Sequence, residues 1–232
     1  MIRDAREKRG EKPVGRKIGF TNRASWPRFR ASAPMWGYMY ATTVHDLAPT
    51  GSRVSLVGLP EPRIEPEIVF GLASAPRPDM EEPSLARCID WVAHRFEIVQ
   101  SLYRDWDCFA PDAVVAFGMH AASWIGPRQA FAPTADRWTR ELAAFEINLN
   151  RNGEHADRGV AANVLDAPLS ALRALVGVLA ADPHNPPLAA GEIVTTGSLT
   201  RALPIAEGEI WTTELKGVAL DGISLELAPR WR

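Results

Sequence analysis

Cysteine is scarce: Cys88 and Cys108 are the two thiols in 232 residues, too few for a disulfide framework and without the paired spacing of a zinc or redox site. Both are read as reduced thiols of a cytoplasmic protein. Net charge is scarce as well, at −2, so there is no electrostatic reason to expect nucleic acid or an anionic membrane as partner. No unbroken apolar run approaches the roughly 18–20 residues that span a bilayer, and the charged start, MIRDAREKRGEK, lacks the apolar stretch of a signal peptide. What is present is an ordinary globular composition, 46% apolar, with chain enough for a large core. Eight tryptophans and nineteen prolines predict large apolar anchors and many fixed turns.

Along the chain, 3–9 reads as a charged helix ended near Gly10 and Pro13; its basic residues fit a solvated face better than a dock for an acidic partner. A strand follows at 16–21, with Gly15 and Gly19 admitting other backbone closely. Further strands are expected at 53–57 and 64–72, the second strongly β-prone. A proline-rich loop, 75–83, precedes a predicted helix over 85–93 with Ser84 as N-cap, after which the chain runs extended through Phe96, Ile98 and Val99. In the second half, 145–150 alternates apolar and polar residues and Asn152-Gly153 is a strong hairpin signal. Pro168 opens a helix with Leu169, Leu172, Leu175, Val176 and Leu179 on one face. Three more strand signals follow, the last two around Asp221-Gly222. Residues 189–196 (AAGEIVTT) and 206–213 (AEGEIWTT) agree at six of eight positions, which reads as two equivalent turn-plus-strand units. The pattern predicts one α+β, β-rich domain over 1–232, with a helical segment at 1–14 and a β-rich body at 15–232.

The chemistry concentrates in PRIEPEIVFGL. Glu65 and Glu67 are two apart on a strand and so point to one face. Two like charges on a strand whose other face is apolar repel and are costly to bury, and a hard divalent cation with oxygen ligands would compensate them. The competing reading is a sheet edge where they pair with Arg63 or another arginine. Glu97 sits between Phe96 and Ile98 and poses the same problem; a salt bridge to Arg95 or Arg104 is its alternative. Spacing alone does not join the two segments in space.

GRKIGFTN, then an E-x-E strand thirty residues before an EIV segment, then a late TGSLT, resembles the fumarylacetoacetate hydrolase superfamily. The closer likeness is to its bacterial branch of 2-oxopent-4-enoate hydratases and 4-oxalocrotonate decarboxylases, from about residue 6 to about residue 218. The resemblance implies a mixed β-roll or sandwich with peripheral helices, a homo-oligomer (dimer or higher), and Mg²⁺ or Mn²⁺ held by Glu65, Glu67 and Glu97. It implies that Lys17 points into the site instead of extending to solvent, and that Thr196, Gly197 and Ser198, with Leu199 as an apolar contact, line a pocket for a small 2-oxo acid. Such an acid chelates a divalent ion through its carboxylate and 2-oxo oxygen, and a Lewis acid there stabilises charge that collects on that oxygen. Lys17, as ammonium or as a proton carrier, would serve the same atoms.

The sequence departs from the family in two places. A P-D-F-G-like acidic segment is replaced by Pro34-Met35-Trp36-Gly37, so an expected proton-transfer carboxylate is missing and Met35 and Trp36 are predicted to make that wall apolar. An A-D-N segment is replaced by Val115 to His120. His120 is the candidate to supply the lost acid–base function, against the alternative of a satisfied core histidine; Asp105 and Asp112 read as turn or surface acids. The lid histidine and glutamate of the hydrolytic relatives find no clear counterpart. The helical part before the lysine strand is expected to be shortened. These features predict a metal-dependent lyase of hydratase or decarboxylase type. An acylpyruvate-type C–C hydrolase or tautomerase is the alternative within the fold, and a metal-binding relative with little activity the alternative outside catalysis.

Overall fold

The chain was analysed as a computed structural model that describes residues 2–48, 52–132 and 134–228. In chain order the strands are β1 (Pro13–Gly19), β2 (Met35–Tyr40), β3 (Val44–Asp46), β4 (Ser52–Val54), β5 (Arg63–Leu72), β6 (Ile89–Val99), β7 (His120–Ile125), β8 (Gln129–Ala130), β9 (Glu146–Arg151), β10 (Glu154–Val160), β11 (Ile193–Thr195), β12 (Leu203–Pro204), β13 (Ile210–Lys216) and β14 (Ser224–Leu227). The α-helices are α1 (Ile2–Lys8), α2 (Trp26–Phe29), α3 (Glu82–Ala86), α4 (Ala110–Val115), α5 (Ala135–Leu142) and α6 (Pro168–Ala180). This is the mixed, β-rich architecture expected.

Two sheets carry the fold. The larger runs β2-β1-β11-β5-β6-β7-β3, with β12 also pairing β5 and β8 pairing β6; the smaller runs β10-β9-β13-β14-β4. The antiparallel ladder of β5 and β6 is the axis, in register from Arg63↔Val99 to Leu72↔Ile89. The face of these strands away from Glu65 and Glu67 is mainly apolar along its length because it is covered, by the smaller sheet at one end and by α6 at the other. Ile64, Phe96 and Ile98 pack on Leu149, Trp211, Leu225 and Leu227 of the smaller sheet. Ile68 and Phe70 join the α6 residues Leu169, Leu172, Leu175, Val176 and Leu179 in the main core.

The α6 face is the one that periodicity selects. The stretch Ala161–Ala180 is long and apolar enough by composition to cross a bilayer, contrary to the reading of the sequence, but its leucines are buried against the large sheet. Asn152 and Gly153, at φ 53° and 82°, form the β9–β10 hairpin turn, the left-handed pair that a two-residue loop demands. The two echoed octapeptides are turn-plus-strand units, with Gly191 and Gly208 at φ 83° and 84°; they end in β11 and β13, one in each sheet.

The expected helix over 85–93 is a correction. Helix α3 stops at Ala86 with Glu81 as its N-cap, and β6 begins at Ile89. Residues 89–93 pair with β5 on one side, while Trp91 and Val92 pair with β8 on the other. Cross-strand burial of Ile89, Val92 and Ala93 thus overrides any local helical preference. Gly19 is also less constrained than expected: a Cβ there would meet only the Met35 side chain, at 3.5 Å.

Gly15 is different, because a Cβ there would lie 2.0 Å from the Ile193 carbonyl oxygen of β11. The parallel β1–β11 pairing, Gly15↔Ile193 to Lys17↔Thr195, therefore closes only over glycine. Gly15→Ala should destabilise the protein by about 2 kcal/mol or more, the scale of a backbone overpacking defect. Chemical denaturation would read this as a lowered midpoint.

Candidate active site

The sheet register builds the centre of the site. Glu65 of β5 lies directly opposite Glu97 of β6, and Glu67 directly opposite Arg95. With period-2 side chains, all four project from one face. One carboxylate oxygen from each of Glu65, Glu67 and Glu97 lies within 4.8 Å of the others. The two segments that sequence spacing could not connect are thus adjacent rungs of one ladder.

Cations surround this cluster. The Arg95 guanidinium, fully buried, donates from Nη2 to Glu67 Oε2 (2.6 Å) and Glu97 Oε2 (2.8 Å), and from Nη1 to Ser123 Oγ (2.8 Å). Lys17 Nζ donates to Glu97 Oε1 (2.9 Å) and to the Gly118 carbonyl (2.8 Å). That carbonyl is presented by three successive left-handed residues, Phe117, Gly118 and Met119, at φ 53°, 67° and 60°, a costly backbone held by its surroundings. Both alternatives weighed for Glu97 meet here, because it pairs with Arg95 and also belongs to the carboxylate cluster.

The charges do not balance. Fully ionised, the three carboxylates would outnumber the two permanent cations by one. Burial, reinforced by Glu97 and Glu67 and only partly offset by Lys17, pushes the Glu65 carboxyl up to about 8. Burial also raises Glu67, in spite of Arg95. Burial works against ionisation of Glu97 too, but Lys17, Arg95 and a His120 hydrogen bond hold its carboxyl well below the usual range. Burial likewise opposes the Lys17 ammonium, yet Glu97, Glu65 and Glu67 outweigh it and raise its pKa.

The donor set fits a hard divalent cation on its own chemistry. It consists of carboxylate oxygens without nitrogen or sulfur. Glu67 uses Oε2 for Arg95 and for the Gly197 N–H (3.3 Å), which leaves Oε1 free among the described residues. Glu65 makes no hydrogen bond or ion pair among them. A dication would turn the excess of one negative charge into one positive charge, suited to an anionic ligand.

The cluster floors a cavity of about 650 Å³ lined by Lys17, Phe20, Phe29, Met35, Arg63, Val99, Trp106, Met119 and the Gly197-Ser198 turn, among others. Gly197 sits at φ 91°, and a Cβ there would meet Thr21 Oγ1 at 1.8 Å, so this turn requires glycine.

Three of the residues expected to touch a ligand are placed elsewhere. Trp36 pairs with Ile18, one residue out of phase with the Gly19↔Met35 and Lys17↔Gly37 pairs; it packs on the main core, so of the two only Met35 lines the cavity. Leu199 is fully buried in the same core. Thr196 is fully buried and donates its hydroxyl to the Ile68 carbonyl (3.0 Å).

His120 also departs from its expected role. Its Nδ1 lies 2.7 Å from Glu97 Oε1 and its Nε2 3.0 Å from Thr43 Oγ1. Burial lowers its pKa, and an ionised Glu97 can only accept, so Nδ1 carries the proton. Both nitrogens are spent behind Glu97, which makes His120 an orienting partner of the cluster and not an acid facing the cavity. Asp112 accepts from the Phe109 N–H (2.8 Å), a local helix cap. Asp105 is exposed.

No family model matches the chain. It is 31% identical over 219 residues to 4-oxalocrotonate decarboxylase of Pseudomonas sp. strain CF600, covering 94% of this chain and 79% of that one. The chain belongs to the family of the 4-oxalocrotonate decarboxylases and 2-hydroxydienoate hydratases. It is also 30% identical over 220 residues to 2-hydroxyhexa-2,4-dienoate hydratase of Comamonas testosteroni, covering 92% of this chain and 78% of that one.

Among solved structures, 4-oxalocrotonate decarboxylase from Pseudomonas putida G7, complexed with magnesium and adipate, superposes with a TM-score of 0.86 at 25% identity, over 97% of this chain and 82% of that one. Fumarylpyruvate hydrolase from Pseudomonas aeruginosa, complexed with Mn²⁺ and pyruvate, shares the fold at TM-score 0.71 and 14% identity, over 94% and 91%.

The raised Glu65 fixes the sign of a pH effect. A carboxyl whose folded pKa exceeds its unfolded value binds more protons in the folded state between those values, so stability falls as pH rises through that window. Below about pH 6.5 the buried neutral His94 and His120 act in the opposite sense, so metal-free protein should melt at progressively lower temperature as pH rises from about 6.5 to about 8. Added Mg²⁺ should restore the loss most at the alkaline end. Thermal melts with and without a chelator measure both.

Proposed function

We propose that the chain is a divalent-metal-dependent lyase acting on a small 2-oxo acid, with Glu65, Glu67 and Glu97 as the metal ligands. The observation that carries this reading is the cross-strand Glu65–Glu97 pair, joined by Glu67, at the floor of a cavity into which Lys17 also opens. Kinship with hydratases and decarboxylases of 2-oxo acids, and a relative complexed with magnesium, support it. When bound, the ion supplies a Lewis acid for the substrate's carboxylate and 2-oxo oxygen.

The remaining chemistry falls to the chain's own side chains. Lys17 uses two of its three N–H donors on Glu97 and Gly118. The third is available to the oxygen on which negative charge collects when a bond next to the carbonyl breaks. Its raised pKa keeps it an ammonium, a hydrogen-bond donor to that charge in a site screened from water. Arg95 and His120 hold Glu97 from behind, which fixes the ligand oxygens before anything binds.

Between the two lyase reactions the walls favour decarboxylation. In that reaction a C–C bond breaks, its electron pair moves through the conjugated chain to the 2-oxo oxygen, and CO₂ leaves uncharged. No water need be activated. Among the described residues, the acids lining the cavity are Glu65 and Glu67, and Met35 occupies the position where an acid would have been expected to move a proton to or from water.

Two measurements test the assignment. Glu65→Gln should weaken Mg²⁺ binding at least about tenfold by calorimetry, through loss of a charged hard ligand; unchanged affinity would place the metal elsewhere. Lys17→Met should lower kcat/KM on a 2-oxo-3-enedioate by about 100-fold or more, mostly in kcat. Undiminished turnover would remove Lys17 from the mechanism.

A further inference from the structure

Lys17 Nζ has two acceptors, Glu97 Oε1 and the Gly118 carbonyl. An ammonium is a point charge with three rotatable donors, so one carboxylate fixes its place but not its direction. A second acceptor at a set angle decides where the third N–H points. That acceptor stands on Phe117-Gly118-Met119, left-handed at all three residues. Such backbone costs energy at Phe117 and Met119, which carry side chains, and it persists where neighbours enforce it.

Two neighbours do so. Gly37 of β2 lies against the segment, where a Cβ would stand 3.1 Å from the Phe117 carbonyl carbon and oxygen. The Phe117 ring meets the Tyr40 ring of β2 edge-on, with centroids 6.5 Å apart. The Arg6 guanidinium of α1 lies over both rings, 3.9 Å from the Tyr40 centroid and 5.6 Å from that of Phe117. Arg6 is itself anchored, since its Nε donates to Glu11 Oε2 (2.9 Å). The same oxygen accepts from Thr42 Oγ1 (3.4 Å), just past the end of β2. Helix α1 is thus pinned to the edge strand of the larger sheet, and through the two rings to residue 117.

Gly118 fits Lys17 as closely on the other side. A Cβ at Gly118 would meet Lys17 Cδ at 3.0 Å and Cε at 3.1 Å, so the lysine stem lies against this backbone and its tip against the carbonyl. Movement of the Phe117 backbone would therefore turn the ammonium, while the carboxylates of β5 and β6 stayed where the ladder puts them.

We propose that Phe117 and Arg6 are positioning residues for Lys17: together they hold the left-handed backbone whose Gly118 carbonyl aims the ammonium's third N–H into the cavity. This rests on the reading of Lys17 as the donor to the substrate oxygen. It gives α1 a part in turnover although no residue of that helix lines the cavity.

The test pairs kinetics with nitrogen-15 NMR of the lysine ammonium groups in metal-free protein, the Lys17 signal being the one that Lys17→Met removes. Phe117→Leu and Arg6→Met should each lower kcat on a 2-oxo-3-enedioate by about tenfold, within what a small misplacement of a reacting group costs. KM and the Mg²⁺ affinity read by calorimetry should stay unchanged. Hydrogen exchange at Lys17 Nζ should speed up in both variants as one of its two bonds loosens. Phe117→Tyr and Arg6→Lys, which keep the ring and the cation, should restore most of kcat and slow the exchange again. Should Phe117→Leu fail to fold, Arg6→Met, at a half-buried position, carries the comparison. Unchanged kcat with unchanged exchange overturns the positioning role, even where the melting temperature falls. An equal loss of Mg²⁺ affinity overturns it too, by placing the defect in the carboxylate cluster. A wild-type chain without turnover overturns the lyase reading alone, and the exchange rates then decide whether Phe117 and Arg6 place the lysine.

Discussion

Glu65 and Glu97 face each other across one rung of the β5–β6 ladder. Like charges at directly opposed positions repel, and in this part of the protein there is little water to screen them. Much of the site is a response to that rung. Arg95 bridges Glu67 and Glu97 from the neighbouring position, Lys17 reaches in from β1, and His120 fixes the far side of Glu97. Together they neutralise most of the charge and leave a remainder at Glu65, the ligand with no partner of its own. A site built in this way binds a cation because the fold has left it one charge short.

The surroundings make that arrangement rigid. The strands that bear the carboxylates lie centrally in the larger sheet, with the smaller sheet and α6 packed over their apolar residues. His94, immediately before Arg95 on β6, points the other way and ties the Glu67 carbonyl to Thr213 of β13; burial lowers its pKa to about 4, so it links the sheets as a neutral imidazole. Polar groups inside β5 and β6 thus serve both faces of the sheet, with charge gathered on one side and neutral hydrogen bonds on the other.

Much of this was legible in the sequence because the informative features were periodic. Alternation placed Glu65 with Glu67, and 3.6-residue spacing marked the buried face of α6. Asn152-Gly153 named its own turn. What could not be read is set by cross-strand neighbours. Arg95 shares a face with Glu97 for the same reason that Glu65 shares one with Glu67, and it was readable as a salt-bridge partner of Glu97; its second bond, across the ladder to Glu67, depends on a register that spacing does not reveal. Trp36 lay one position out of phase with Met35, and a single-residue shift moves a side chain to the opposite face. His120, Leu199 and Thr196 sit near the site in sequence and behind it in space. The signal for Arg63 was present, since it stands two residues before Glu65, yet it entered only as a possible partner for the glutamates and not as a cavity residue.

Strand β11 has three residues, and they do two things at once. On one side Thr195 pairs with Lys17 of β1, and on the other with Val69 of β5; at its end the chain turns directly into Gly197 and Ser198 at the cavity surface. The lysine and the carboxylates are thus spaced by the width of this one short strand, and its continuation touches whatever enters the cavity. The distance between the ammonium and the metal ligands is therefore a property of the glycine turn as much as of either strand. A ligand that presses on Gly197 presses on the ruler that sets that distance.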